Sequence, residues 1–284
     1  MNDSDHRLLI VGLPDAGKTS YIHAVDDLLQ HPPTPDSFRS YGLADDRSYL
    51  ERDKADYRRG KKLLHTERNL QGPTPELWFE DPKSGHRGKL FLPDISGEVF
   101  QDQWVDRKWS KSYGLSLDGL TGILLFIRAD LPASNQEMLG ELAKLPFAER
   151  EAQPWDAKKA SQQVQLVDVL QFIADRRRFE RGELKLCVLI SAWDMIRHSG
   201  NFQPKNPTLF LKREWPLLDQ YLRTNNRSFQ SRIYGVSALG GTEEELKGKL
   251  SDLPPQERVL IVHENSESKD LTSPLRWVME EGRN

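Results

Sequence analysis

One cysteine in 284 residues excludes an internal disulfide, because Cys187 has no second thiol to meet. It lies inside the apolar run Leu184 to Ile190, so a buried, unreactive thiol is expected. Long apolar stretches are missing as well. No run approaches the roughly 20 residues that a membrane-spanning helix needs, and no membrane association is expected. Charge of one sign is also scarce: 43 acidic against 40 basic residues leave a net charge of −3, which supplies no general attraction to nucleic acid or to an anionic membrane. The polar opening MNDSDHR lacks the apolar core of a secretion signal, and a reducing, cytoplasmic setting is expected. There is no internal repeat. The chain is long enough to bury a substantial core and reads as one elaborated domain over 1–284.

Its strongest feature is the stretch GLPDAGKT, Gly12 to Thr19, which follows the apolar run Leu8 to Val11 and precedes a helical pattern from Ser20. A G-x-x-x-x-G-K-[ST] string cradles phosphate only when a strand delivers the loop and a helix N-terminus receives it, and both flanks are of the right kind. The expected contacts come from Gly12, Asp15, Ala16, Gly17, Lys18, Thr19 and Ser20. Backbone N–H groups turn inward to β- and γ-phosphate oxygens, Lys18 adds positive charge and the Thr19 hydroxyl can ligate Mg2+. The competing reading is an ordinary glycine-containing strand-to-helix turn.

A second motif stands after the apolar segment Lys89 to Leu92: Asp94-Ile95-Ser96-Gly97-Glu98, a D-x-x-G string. An aspartate at the end of a strand beside a phosphate loop reaches the magnesium ion, and the N–H of a nearby glycine senses the γ-phosphate. Upstream, Glu76 to Glu80 and Gly88 to Leu92 flank DPKSGHR and read as a β-hairpin. Thr74 stands just ahead of it, 20 residues before Asp94, and is a candidate third metal ligand on a switch loop. Thr66 is its rival, and a plain loop threonine before a proline is the alternative to both.

Farther along, Leu184 to Ile190 has the continuous apolar character of a parallel strand buried on both faces and ends in Ser191-Ala192-Trp193-Asp194. A carboxylate at Asp194 can accept hydrogen bonds from guanine N1–H and the 2-amino group, donors that adenine lacks. Arg232 to Val236 reads as another strand followed by Ser237-Ala238-Leu239, whose backbone N–H groups at Ser237 and Ala238 can meet guanine O6.

GLPDAGKT, Thr74, DISGE, SAWD and SAL, in that order from Gly12 to Leu239, resemble the nucleotide-binding boxes of the translation-factor-related and Ras-like class of GTPases. The D-x-[SA]-G-E form and the long stretch before the switch threonine are similar to the bacterial double-GTPase proteins of predicted conflict and defence gene clusters. The resemblance implies a GTP/GDP-dependent conformational switch with Mg2+ as cofactor. Hydrolysis in this class is slow until a protein partner assists, whether an effector, an activator or a second GTPase. It also implies roles: Lys18 and the Asp15 to Thr19 backbone for the phosphates, Thr19, Thr74 and Asp94 for the metal, and Glu98 where many relatives carry a water-positioning glutamine. Pro14 removes one loop N–H and, with Glu98, points to slow turnover. The chain departs from the usual [NT]-K-x-D base box at Ser191 and at Ala192, where a lysine stem normally covers the base. A non-hydrolysing guanine-nucleotide scaffold and an ATP-using phosphotransferase therefore stay open.

The expected fold is α/β, a mostly parallel sheet with helices on both faces and the hairpin strand as its antiparallel edge. A charged helical insert, 36–72, precedes the switch threonine, and 240–284 form a C-terminal extension ending in the helix of SPLRWVM. Within the insert, Arg58-Arg59-Gly60-Lys61-Lys62 reads as a solvated face, with contact to phosphate or an acidic partner as the alternative, and Arg68 is a candidate internal arginine finger. After Asp94, Val99, Phe100, Trp104 and Trp109 read as helix-packing aromatics and apolar residues, or as a partner-binding second switch. Val164 to Ala174 reads as a helix with Val164, Val167, Leu170, Ile173 and Ala174 on its packing face. Pro207 to Leu222 reads as one helix capped by Asn206.

Overall fold

A computed structural model describes residues 5–42, 48–61, 63, 76–92, 104–106, 114, 116–130, 160–177, 183–198, 206–250 and 252–280. Its centre is a parallel sheet in which β1, β5 and β6 are nearly continuous apolar segments, because helices cover both faces there. The strands are β1 (His6–Gly12), β4 (Arg87–Phe91), β5 (Gly122–Arg128), β6 (Leu184–Ser191) and β7 (Phe229–Ser237). They lie in the order β4-β1-β5-β6-β7, each parallel to its neighbours. Alternate residues feed two cores: Leu9, Val11, Ile123 and Leu125 on one face, Leu8, Ile10, Leu124 and Phe126 on the other.

The first face is covered by α3 (Gln162–Arg176), α5 (Pro207–Glu214) and α6 (Pro216–Thr224), and the second by α1 (Lys18–Gln30), α2 (Ser48–Arg58) and α9 (Ser273–Met279). On α3 the buried positions Leu166, Val167, Leu170 and Ile173 follow helical spacing, but Val164 is 38% exposed and does not belong to the packing face. The single helix expected over Pro207 to Leu222 is two. Pro216 disfavours helical geometry in the residue before it, and Trp215, at φ −127° and ψ 55°, breaks the chain while burying its ring. Asn206 caps α5 as expected, accepting from Thr208 N and Leu209 N.

The hairpin pairs β3 (Glu76–Glu80) with β4 in antiparallel register, but β3 is not the edge, because the short strand β2 (Arg39–Ser40) pairs outside it. The opposite side of the sheet is also extended. The segment after β7 contributes α7 (Glu243–Lys247), α8 (Pro255–Arg258), and the antiparallel strands β8 (Leu260–His263) and β9 (Ser266–Ser268) before α9. Thr242 and Glu245 form a reciprocal capping box on α7, and the left-handed Gly240 packs under the Arg258 carbonyl, where a Cβ would come within 2.4 Å. Cys187 is fully buried on β6 beneath α9, and burial pushes its thiol pKa well up, in keeping with an unreactive side chain.

The insert helix α2 is not merely a solvated charged segment. Arg58 pairs with the buried carboxylate of Asp27 on α1 at 2.8 Å, and Leu50 and Tyr57 are buried. Lys61 pairs instead with Asp56 at the exposed side. Among the described residues no helix is long and apolar enough to cross a membrane.

Candidate nucleotide site at the strand ends

The phosphate loop runs from the C-terminal end of β1 into the first turn of α1, which opens at Lys18, two residues before the position expected from sequence. Gly17 makes this sharp entry possible with a left-handed backbone (φ 87°, ψ 10°) that disfavours a side chain. Space forbids one too: a Cβ on Gly17 would lie 2.7 Å from the Cβ of Ser191. The loop of β1 is thus packed directly on the turn that follows β6. Asp15 is also left-handed, at φ 60°, a conformation that aspartate tolerates better than most residues.

Lys18 is buried, and its Nζ donates to the carbonyls of Gly12 and Leu13, both at 2.7 Å. The start of α1 has no side-chain cap and no acidic residue in its first turn. A helix N-terminus left open in this way, beside a buried ammonium group, is an anion site by construction. The residues present therefore fit a phosphate chain, and Thr19 stands in the first helical turn where a hydroxyl can serve a phosphate-bound cation. Thr74, Thr66, Arg68, Asp94, Gly97, Glu98, Val99, Phe100 and Trp109 lie outside the described residues. Trp104 is described and is buried.

The residues expected to meet the base stand at the ends of β6 and β7. Trp193 opens α4 (Trp193–His198) and drops into the core, edge-on to Phe210 and against the backbone of Gly235, where a Cβ would come within 2.3 Å of the indole. That anchor fixes the turn in which Ala192 takes a left-handed conformation, φ 54°, and Asp194 sits in the first turn of α4. Asp194 and Ser237 line a cleft of about 410 Å3 that continues toward Gly240, Glu245, Arg258 and Lys269. The hydroxyl oxygens of Ser191 and Ser237 are buried and find no hydrogen-bond partner among the described residues. Buried polar atoms are seldom left so, and a bound nucleotide or water can satisfy them.

Three residues not singled out in the sequence tie into the SAL turn and the phosphate loop. Tyr57 of α2 donates its hydroxyl to the Ala238 carbonyl at 3.1 Å, inside the SAL turn, while Arg258 Nη2 donates to the Tyr57 carbonyl at 2.7 Å. Burial raises the Tyr57 phenol pKa, so it stays a neutral donor at ordinary pH. Arg128, the last residue of β5, reaches the phosphate loop: its Nη1 donates to the Asp15 carbonyl at 3.4 Å. A charged residue closing the apolar run GILLFI was visible in the sequence, but the loop it meets was not.

Among curated proteins, none matches this chain by sequence. In fold it is similar to the bacterial selenocysteine-specific elongation factor EF-Sec, at 14% identity over 88% of this chain and 28% of that one (TM-score 0.41). It is similar also to the signal recognition particle receptor SRb–SRX complex of Chaetomium thermophilum, at 14% identity over 86% and 95% of the two chains (TM-score 0.42). The S. cerevisiae Ski7 GTPase-like domain matches at 15% identity over 84% and 43% (TM-score 0.46). The chain spans less than a third of the elongation factor's length. The Double-GTPase 1 family model matches residues 9–278, nearly the whole chain, and the chain belongs to that family of phosphate-loop GTPases.

Proposed function

We propose that the chain binds GTP and GDP at the strand ends, hydrolyses GTP slowly and works as a nucleotide-dependent conformational switch. The observation that supports this most is the buried Lys18 ammonium at the open N-terminus of α1, with Ser191 packed against Gly17 so that phosphate loop and base turn form one surface. In this reading the Gly12 to Ser20 loop grips the phosphates, Asp194 reads the base and Ser237 and Ala238 border it. Thr19, Asp94 and Thr74 would hold Mg2+, which would supply charge neutralisation at the phosphates. Lys18 stabilises charge that develops as the γ-phosphoryl group leaves. A carboxylate at Glu98, in place of a water-positioning glutamine, would add negative charge near the phosphate, and Pro14 withdraws one loop donor; both favour slow turnover. The switch signal is read by a protein partner, for which a second GTPase is the first candidate by family. The reading includes a role in bacterial conflict systems, suggested by the resemblance to double-GTPase proteins, and a cytoplasmic site of action, suggested by the polar start and the single buried cysteine.

Isothermal calorimetry with GTP, GDP and ATP tests the binding claim directly. The wild-type chain is expected to bind both guanine nucleotides and to discriminate against ATP, and a folded Lys18→Ala variant is expected to lose GTP binding. Equal affinity for ATP and GTP, or unchanged GTP affinity in the variant, overturns the reading. Single-turnover hydrolysis then separates a slow GTPase from a scaffold that never cleaves its nucleotide.

A further inference from the structure

Ala192 leaves the base turn without a cation. Its side chain is a single methyl group, Trp193 beside it is committed to the core, and Asp194 brings negative charge. A purine seated against Asp194 therefore receives from this turn one edge contact and no cover for its face. The neighbouring strand holds a side chain suited to both deficits. Arg128 ends β5 and is the register partner of Ser191, the first residue of the base turn, and the two strands are tied again at this level by Ala129 N donating to the Ser191 carbonyl at 3.0 Å.

The guanidinium is held on two sides. Nε and Nη2 fork onto the Asp130 carboxylate at 2.6 and 2.9 Å, and Nη1 donates to the Asp15 carbonyl of the phosphate loop. Asp130, Asp15 and Asp194 all stabilise its charge, the Asp130 hydrogen bond foremost. A simple surface ion pair between residues two apart would need only Asp130, and such pairs contribute little. Here the third arm reaches across to the loop that carries phosphate. About a third of the side chain remains exposed.

We propose that Arg128, positioned by Asp130, is the cation that braces the nucleotide at its base end, doing from β5 what the base turn cannot do at Ala192. This rests on the proposed guanine-nucleotide site. A planar guanidinium stacks on an aromatic face and offers donors to ribose oxygens, so it suits a purine nucleoside better than a lone ammonium would. Selectivity between guanine and adenine stays with Asp194, whereas Arg128 contributes to all purine nucleotides alike.

That division gives a signature: loss of Arg128 should weaken binding by a factor that does not depend on the number of phosphates. With the full chain, calorimetry on Arg128→Ala is expected to show GDP and GTP affinity falling by the same factor, about tenfold, with the ATP-to-GTP preference unchanged. Adding Ala192→Lys to that variant is expected to recover most of the loss, because position 192 is already left-handed and a lysine there adds no new backbone demand. Asp130→Asn, which keeps the arginine but loosens its fork, is expected to weaken both nucleotides about threefold and serves if the alanine variant fails to fold. Unchanged affinity in Arg128→Ala, or in Asp130→Asn should that variant alone be folded, overturns the inference and leaves the guanine site standing. A loss much larger for GTP than for GDP overturns it too, because Arg128 would then be a γ-phosphate contact. Failure of the wild-type chain to bind either nucleotide overturns the parent reading and this inference with it.

Discussion

The phosphate loop of the proposed site is one contiguous stretch, Gly12 to Thr19, in which local chemistry meets most requirements: Gly17 turns the chain, Lys18 supplies charge and the start of α1 supplies N–H groups. At its base end the site is pieced together from β5, β6, β7 and α2, four elements distant in sequence, and several parts depart from what the family boxes contain. The loop leaves little room for change, because its geometry depends on a left-handed Gly17 packed on Ser191. The proposed base end has Ala192 where a lysine is usual, a helix braced on the SAL turn, and two further strands beyond β7. Contacts between side chains are exchangeable in a way that a left-handed glycine under a packed serine is not.

Replacing Gly17 should break this contrast most severely. Gly17→Ala puts a methyl group 2.7 Å from Ser191 Cβ and forces a left-handed conformation on alanine. We expect guanine-nucleotide affinity to fall about 100-fold or more by calorimetry, with stability reduced by ~2 kcal/mol in thermal or urea unfolding. Near-normal binding would mean that the loop can relocate and that the phosphate end is as adaptable as the base end.

Asp194→Asn probes the other side. Loss of a charged acceptor to guanine should cost about 1.5–3 kcal/mol, a fall of roughly 10- to 100-fold in GTP affinity. Xanthosine nucleotides, whose 2-position oxygen can accept from the new amide, should gain. If competition with a fluorescent guanine nucleotide shows no such exchange of preference, Asp194 is not the base reader.

The smallest effect is expected from Tyr57→Phe. It deletes the bond to the Ala238 carbonyl while leaving a ring of nearly the same size in place, and should cost about 1 kcal/mol of stability. If α2 braces the base turn, the GDP dissociation rate measured by stopped flow should also rise severalfold. A stability loss with no change in dissociation would reduce α2 to packing alone.

The contiguous half of the site was legible because its chemistry is local: GLPDAGKT is a motif whose spacing is set by one turn of backbone, and the flanking strand and helix have their own periodicities. The paired β3 and β4 were equally plain, since the turn formers of DPKSGHR bring neighbouring segments together. The helix break was legible in principle, for Pro216 announces it, but the apolar periodicity on either side masked it. Val164 misled in the same way, having the right spacing but lying in the first turn of α3, where it is 38% exposed.

What remained hidden shares one physical character. Arg128 over the Asp15 carbonyl, Tyr57 on Ala238 and the pairing of β8 with β7 join residues more than 20 positions apart in the chain, through contacts between surfaces that exist only once the sheet has formed. Strand order decides which charged residue ends beside which loop, and packing decides whether an amphipathic insert lies in water or against a turn. The residues themselves dictated that a strand, a phosphate-loop motif and a helix would follow one another, although the helix opens two residues earlier than its pattern suggested. Only the assembled sheet brought β5 alongside the base turn and put a cation where that turn has none.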